Sequence, residues 1–242
     1  MSNGQTKVAL LAGASGLTGG YVLDALLGAA DFGRVIAVTR RPLPRENVRL
    51  ANRIVQFERM ETQLQGITCD VALCCLGTTI ARAGSRENFR EVDLDYVVAF
   101  ARTALAARAQ RFVVMSSAGA DPRSRSFYLR TKGEMEEELE AVGFPSLDIL
   151  QPGALLGWRH EMRPLELAAM AFMPLVNPFL VGKRAAFRAI SARTVAAAMV
   201  GATRTGRKGM QRYLNPGIDA LARLTPPRGP APAPDHKPAR AR

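Results

Sequence analysis

Short, uninterrupted apolar runs alternate with longer stretches of helical periodicity along this chain, and the order of the two predicts an α/β architecture. Val8–Ala12 is apolar throughout, the pattern of a strand buried on both faces of a parallel sheet. Val35-Ile36-Ala37-Val38 reads as a second such strand, Arg53–Phe57 as a third and Asp70–Leu76 as a fourth. Phe112–Met115 and Leu147–Leu150 supply a fifth and a sixth. Between them, Tyr21–Leu27 has a helical pattern. Glu91–Arg108 repeats apolar residues at Val92, Tyr96, Val97, Phe100, Ala104 and Leu105 with helical spacing. No internal repeat is visible. Right-handed crossovers then give a doubly wound parallel sheet with strand order 3-2-1-4-5-6, the Rossmann arrangement.

This pattern fits one domain over residues 1–225, with substrate-region elements mainly in 151–225. Leu165–Val181 is apolar but broken by Glu166, Pro174, Asn177 and Pro178, so it spans a bilayer poorly. It reads as a pocket lid or packing segment. The alternative is a membrane-surface or dimer contact, with Lys183, Arg184 and Arg188 beside it. Thr194–Thr203 reads as a helix packed back on the sheet. From Pro226 onward, alternating proline and alanine predict a disordered basic tail over 226–242.

Charge changes the picture in one region only. The chain of 242 residues has a formal net charge of +12, yet residues 1–150 are nearly balanced and 151–225 hold 11 basic against 3 acidic residues. That excess suits an anionic small-molecule substrate or an acidic membrane surface, or else reflects compositional drift toward arginine. Nucleic acid is not expected as a partner, and the chain is expected as a monomer or homodimer. Met1–Lys7 is polar and no secretory segment follows, so a cytoplasmic protein, in contact at most with a membrane surface, is expected. Cys69, Cys74 and Cys75 lack zinc or redox spacing and read as free core thiols. His160 and His236 are isolated, so no metal site is expected.

Candidate chemistry begins directly after the first strand. Gly13-x-x-Gly16-x-x-Gly19 opens a helix, and such a turn presents backbone N–H groups and the positive helix end to a pyrophosphate. Gly13, Ser15, Gly16, Leu17 and Thr18 are the candidate contacts. About 20 residues past the last glycine, a carboxylate would grip the ribose hydroxyls of NAD. Thr39-Arg40-Arg41 stands there instead, and two guanidiniums suit a 2′-phosphate. NADP(H) is therefore favoured over NAD(H). Leu76, Gly77 and Thr78, at the end of the fourth strand, should line the same cofactor.

Ser116-Ser117 ends the fifth strand, and Tyr128-x-x-x-Lys132 follows. A tyrosine and a lysine four apart share one helix face, where the ammonium favours the phenolate of a proton-transferring tyrosine. A serine hydroxyl at the strand end can hold the substrate oxygen.

Taken as a set, Gly-Ala-Ser-Gly-Leu-Thr-Gly at 13–19, Cys-Leu-Gly-Thr-Thr at 75–79, Val-Asp-Leu-Asp-Tyr at 92–96, Met-Ser-Ser-Ala-Gly-Ala-Asp at 115–121 and Tyr-Leu-Arg-Thr-Lys-Gly-Glu at 128–134 resemble the Tat-interacting-protein-like branch of the atypical short-chain dehydrogenases/reductases. The likeness covers roughly residues 7–215. It implies an NADPH-binding protein with Ser117 (or Ser116), Tyr128 and Lys132 in the catalytic positions, Lys132 also bonding the nicotinamide ribose. Two departures are visible. Many relatives read Arg-Pro-Gly where this chain has Gln151-Pro152-Gly153, and the asparagine of the standard tetrad has no clear equivalent. Two functions follow from the resemblance. One is hydride transfer between nicotinamide and a carbonyl or alcohol. The other is a cofactor-dependent regulatory or assembly role with little turnover.

Overall fold

The computed structural model describes residues 6–156 and 188–225. The expected apolar segment Leu165–Val181, both histidines and the proline-rich tail lie outside the described residues.

Seven strands form one parallel sheet: β1 (Lys7–Ala12), β2 (Phe32–Thr39), β3 (Leu50–Ile54), β4 (Val71–Cys74), β5 (Arg111–Met115), β6 (Ser146–Leu150) and β9 (Gly209–Tyr213). Their order is β3-β2-β1-β4-β5-β6-β9, the expected order with one strand added beyond β6. A separate two-residue parallel pair joins β7 (Leu155–Leu156) to β8 (Ile190–Ser191). The apolar run Ala9–Ala12 is fully buried because it sits between β2 and β4 with helices over both faces.

One face of the sheet carries α2 (Met60–Gln63), α5 (Tyr96–Ala106) and α6 (Phe127–Val142), packed through Phe100, Phe112, Met135 and Leu139. The other carries α1 (Leu17–Gly28), α7 (Ala192–Ala202) and α8 (Asn215–Ala222), packed through Val22, Leu26, Val195, Met199 and Ile218. The small residues of α7 let it lie close to α1 and α8, as expected for a helix folded back on the sheet.

Three elements depart from the sequence pattern for identifiable physical reasons. The third strand is Leu50–Ile54, because Val55 and Phe57 are buried as loop and 3₁₀-turn residues rather than as strand residues. Asn52, a polar residue inside this edge strand, earns its place by donating to Ala37 O and Thr39 Oγ1. The helix expected over Glu91–Arg108 is interrupted: a single π turn over Glu91–Asp95 precedes α5, following α4 (Arg86–Arg90). The strand β9 was not foreseen, since Gly-Met-Gln-Arg-Tyr lacks an apolar run. Its position is set from below by Arg111, which pairs with the buried Asp148 at 2.5 Å and donates to the carbonyls of Thr205 and Arg207.

Candidate active site

The strand order reverses between β1 and β4, and the crevice beyond their carboxyl ends is where such sheets bind ligands. Two turns meet there. Gly13 has φ +83°, and a Cβ on it would sit 2.5 Å from the Cys75 carbonyl oxygen. Only glycine lets the β1 turn lie this close to the β4 turn. The helix α1 starts at Gly16, which offers no side chain as a cap, and its first i→i−4 bond is Gly20 N–H to Gly16 O. The N–H groups of Leu17, Thr18 and Gly19 therefore remain for a ligand. The hydroxyl of Thr18 is buried without a hydrogen-bond partner, the sole such side-chain atom among the described residues. An anion seated on this turn would satisfy all four donors. The residues present thus fit the pyrophosphate of a dinucleotide. Gly13→Ala is expected to destabilise the fold by about 1–3 kcal/mol through strain at a positive φ, before counting the clash with Cys75. Thermal unfolding of the variant checks this.

A cavity of about 820 Å³ runs from this turn across the sheet. Ser15–Gly19, Gly77–Thr79, Ser116–Ala118, Tyr128, Lys132 and Pro152–Leu155 line it. The cavity therefore joins the glycine turn to the three candidate catalytic residues, which the sequence separates by about a hundred positions. Leu76 does not line it but turns into the core on the α5 face. Arg40 and Arg41 also lie outside it. They are exposed at the end of β2, with Arg40 over the Phe57 ring at 5.9 Å and the Arg41 carbonyl held by the Thr39 hydroxyl at 2.8 Å.

The helix α6 positions Tyr128 and Lys132 one turn apart, with Ser126 as its N-cap and Gly143 as its stop. The ring of Tyr128 packs on Phe89 at 5.7 Å, and Tyr128 and Lys132 both line the cavity. Lys132 is 4% exposed, and its Nζ lies 2.7 Å from Asp93 Oδ1. The second oxygen, Asp93 Oδ2, accepts the Thr78 N–H at 2.7 Å. One carboxylate thus joins the lysine to the turn after β4. Burial works against the Lys132 charge, but the Asp93 carboxylate and the Tyr128 phenol beside it prevail and hold the ammonium above the usual lysine range. Gly77 packs closely in this corner, where a Cβ would sit 3.3 Å from Asp93 Oδ1.

Asp93 belongs to the Val-Asp-Leu-Asp-Tyr motif, and its partners emerge only in the fold. The signal was present: an acid on a helix whose neighbours are core residues demands a buried partner. The π turn carries it, and such insertions recur at functional sites.

The two serines are distinguished by their partners. Ser116 is buried, and its hydroxyl donates to Glu136 Oε1 at 2.5 Å. Ser117 is part-buried in the cavity wall with only a 3.5 Å contact to Ala118 O. Beneath Ser116, Glu136 also accepts from Gln151 Nε2 at 2.8 Å and from Arg212 Nε at 2.8 Å. The arginine that many relatives carry at position 151 is absent, and a guanidinium reaches the same region from β9 instead. Sequence reading missed both Glu136 and Arg212, the latter because its strand was missed. The three cysteines are buried free thiols, and desolvation pushes Cys69 and Cys74 up to about 12, so neither is a thiolate at neutral pH.

A family model described as NAD(P)H-binding matches residues 13–170, the span that holds the glycine turn and the Tyr-Lys helix. The chain belongs to this NAD(P)H-binding family. Among its relatives, protein HTATIP2 of Rattus norvegicus is 39% identical over 172 residues, covering 69% of this chain and 71% of that protein. The mitochondrial protein fmp52 of Aspergillus niger is 35% identical over 178 residues, covering 71% and 76%. Human epimerase family protein SDR39U1, solved with NADPH, shares the fold at a TM-score of 0.58 with 15% identity, covering 86% of this chain and 74% of that one. The resemblance to the Tat-interacting-protein-like branch and the Rossmann sheet are both borne out. The expected cytoplasmic location is corrected: fmp52 relatives from four Aspergillus and Emericella species are named mitochondrial. A polar start such as Met1–Lys7 does not separate these two compartments. Among the described residues, no helix is long and apolar enough to cross a membrane.

Proposed function

We propose that this NAD(P)H-binding protein is an NADP(H)-dependent reductase of the short-chain dehydrogenase type, acting on a small carbonyl compound. The observation that carries this reading is the shared cavity, in which Ser117, Tyr128 and Lys132 face the same space as the glycine turn. When bound, the nicotinamide supplies a hydride to the carbonyl carbon, so that the carbonyl is reduced to an alcohol and the cofactor is oxidised. Tyr128 gives its phenolic proton to the carbonyl oxygen. Ser117 donates a hydrogen bond to that oxygen, since its hydroxyl is not committed elsewhere as that of Ser116 is. Lys132 holds positive charge beside the phenol and reaches the nicotinamide ribose. Asp93 fixes the lysine and, through Thr78, the turn beneath that ribose.

Arg40 and Arg41 support the NADP(H) preference, because no carboxylate stands at the end of β2 to repel a 2′-phosphate. Each charged hydrogen bond to such a phosphate contributes about 1.5–3 kcal/mol. Replacing both arginines by alanine is expected to weaken NADPH binding by at least tenfold and NADH binding by less than threefold. Titration calorimetry of both cofactors tests this, and equal affinities in the unaltered protein would defeat it. A second test of the whole reading is consumption of NADPH with a panel of small aldehydes and ketones. Binding without any turnover across that panel would favour the regulatory role.

A further inference from the structure

Three charged side chains among the described residues line the cavity: Asp93, Lys132 and Arg82. Asp93 and Lys132 neutralise each other at 2.7 Å. Arg82 is left with its charge uncompensated. Among the described residues its guanidinium has no carboxylate, carbonyl or ring partner, whereas several other arginines have one. Arg86 and Arg130 lie over Phe127, Arg90 pairs with Glu134, and Arg212 pairs with Glu136. The backbone that carries Arg82 is nonetheless fixed. It lies in the one-turn helix α3 (Ile80–Ala83), where Thr79 caps its N–H, and Asn88 Nδ2 donates to the following carbonyl of Ala83. A rigid backbone with an unpaired guanidinium at a cavity wall is the arrangement that meets an incoming anion.

The cofactor's own anions have other candidates. Its pyrophosphate suits the N-terminus of α1, and its 2′-phosphate suits the arginines after β2. Arg82 lies instead on the β4 connection, which also carries Gly77–Thr79 against Asp93 and Lys132. The described basic residues of 188–225, which account for much of the chain's charge excess, do not line the cavity at all. Among the described residues, the sole uncompensated cation there comes from the near-neutral N-terminal part.

We propose that Arg82 binds the carboxylate or phosphate of an anionic carbonyl substrate and so selects it over neutral analogues. The proposal deepens the reductase reading and rests on it for turnover, but the anion site can be tested without turnover.

The test compares 4-formylbenzoate with its neutral methyl ester, using the full chain loaded with NADPH, in the unaltered protein and in Arg82→Ala and Arg82→Lys. The acid is expected to be reduced with the higher kcat/KM. Arg82→Ala should lower that value roughly ten- to a hundredfold, the range for a charged hydrogen bond, mainly through KM. The ester should change less than twofold, and Arg82→Lys should recover part of the loss. Because Arg82 is exposed, the variants are expected to keep the unaltered unfolding temperature. Equal losses for acid and ester would overturn the proposal. So would a matching loss of NADPH affinity, which would assign Arg82 to a cofactor phosphate. If neither aldehyde is reduced, calorimetry of 4-formylbenzoate with the NADP⁺-loaded protein separates the two claims. Binding that Arg82→Ala weakens tenfold would uphold the anion site while the reductase reading fails. Binding that is absent, or indifferent to Arg82, would overturn the site.

Discussion

Replacing Tyr128 by phenylalanine is expected to lower carbonyl reduction by about 10²–10⁴-fold, the usual contribution of a positioned proton donor. Binding of NADPH should stay within about twofold of the unaltered protein. The separation follows from the site. The phenylalanine ring keeps the contact that Tyr128 makes with Phe89, so the helix and the neighbouring Lys132 stay in place. What is lost is the O–H alone. Single-turnover rates under saturating NADPH, with affinity measured by fluorescence, check both halves. A Phe variant with unchanged turnover would remove Tyr128 from the mechanism.

The second large effect belongs to Asp93. Asp93→Ala is expected to cost about 3–5 kcal/mol of folding stability, because it leaves the ammonium of Lys132 buried without a counter-charge. It also strips the acceptor from the Thr78 N–H. The sign of the pH dependence follows from the lysine. Its folded-state proton affinity is raised, so the pair's contribution is complete at neutral pH. That contribution fades only as alkaline pH climbs through and beyond the ordinary lysine range. Removing both charges, with Asp93→Leu and Lys132→Met together, should restore much of the stability while abolishing turnover. Urea unfolding of the unaltered protein and these two variants at neutral pH decides the matter. A loss below about 1 kcal/mol in Asp93→Ala would mean that the pair is solvated and does not organise the site.

How far the sequence disclosed this molecule depended on whether local pattern or distant contact decided the feature. The strands at the sheet centre were legible because burial on both faces leaves only apolar residues, as in Ala9–Ala12. Edge strands obey no such demand. Leu50–Ile54 contains Asn52 and Arg53, and its apolar neighbours Val55 and Phe57 drew the expected strand three residues too late. Gly209–Tyr213 was invisible because its place at the sheet edge is set by bonds from Arg111, nearly a hundred residues away. The glycine turn and the Tyr-Lys pair were legible because each depends on spacing within one segment. The partners that hold them, Asp93 for Lys132 and Glu136 with Arg212 for Ser116, come from other elements. Such partners are specified by the fold and leave only a faint local trace, a charge where the helix face should be apolar.

In the proposed function, one cleft seats a dinucleotide on the glycine turn and presents its nicotinamide to Ser117, Tyr128 and Lys132. A crystal structure of the full chain with NADP⁺ tests it most directly. The pyrophosphate is expected against Gly16–Thr18, with a phosphate oxygen accepting the Thr18 hydroxyl and the nicotinamide ring on the wall formed by Tyr128. A dinucleotide bound away from the start of α1, or one whose nicotinamide points out of the cleft, would contradict it.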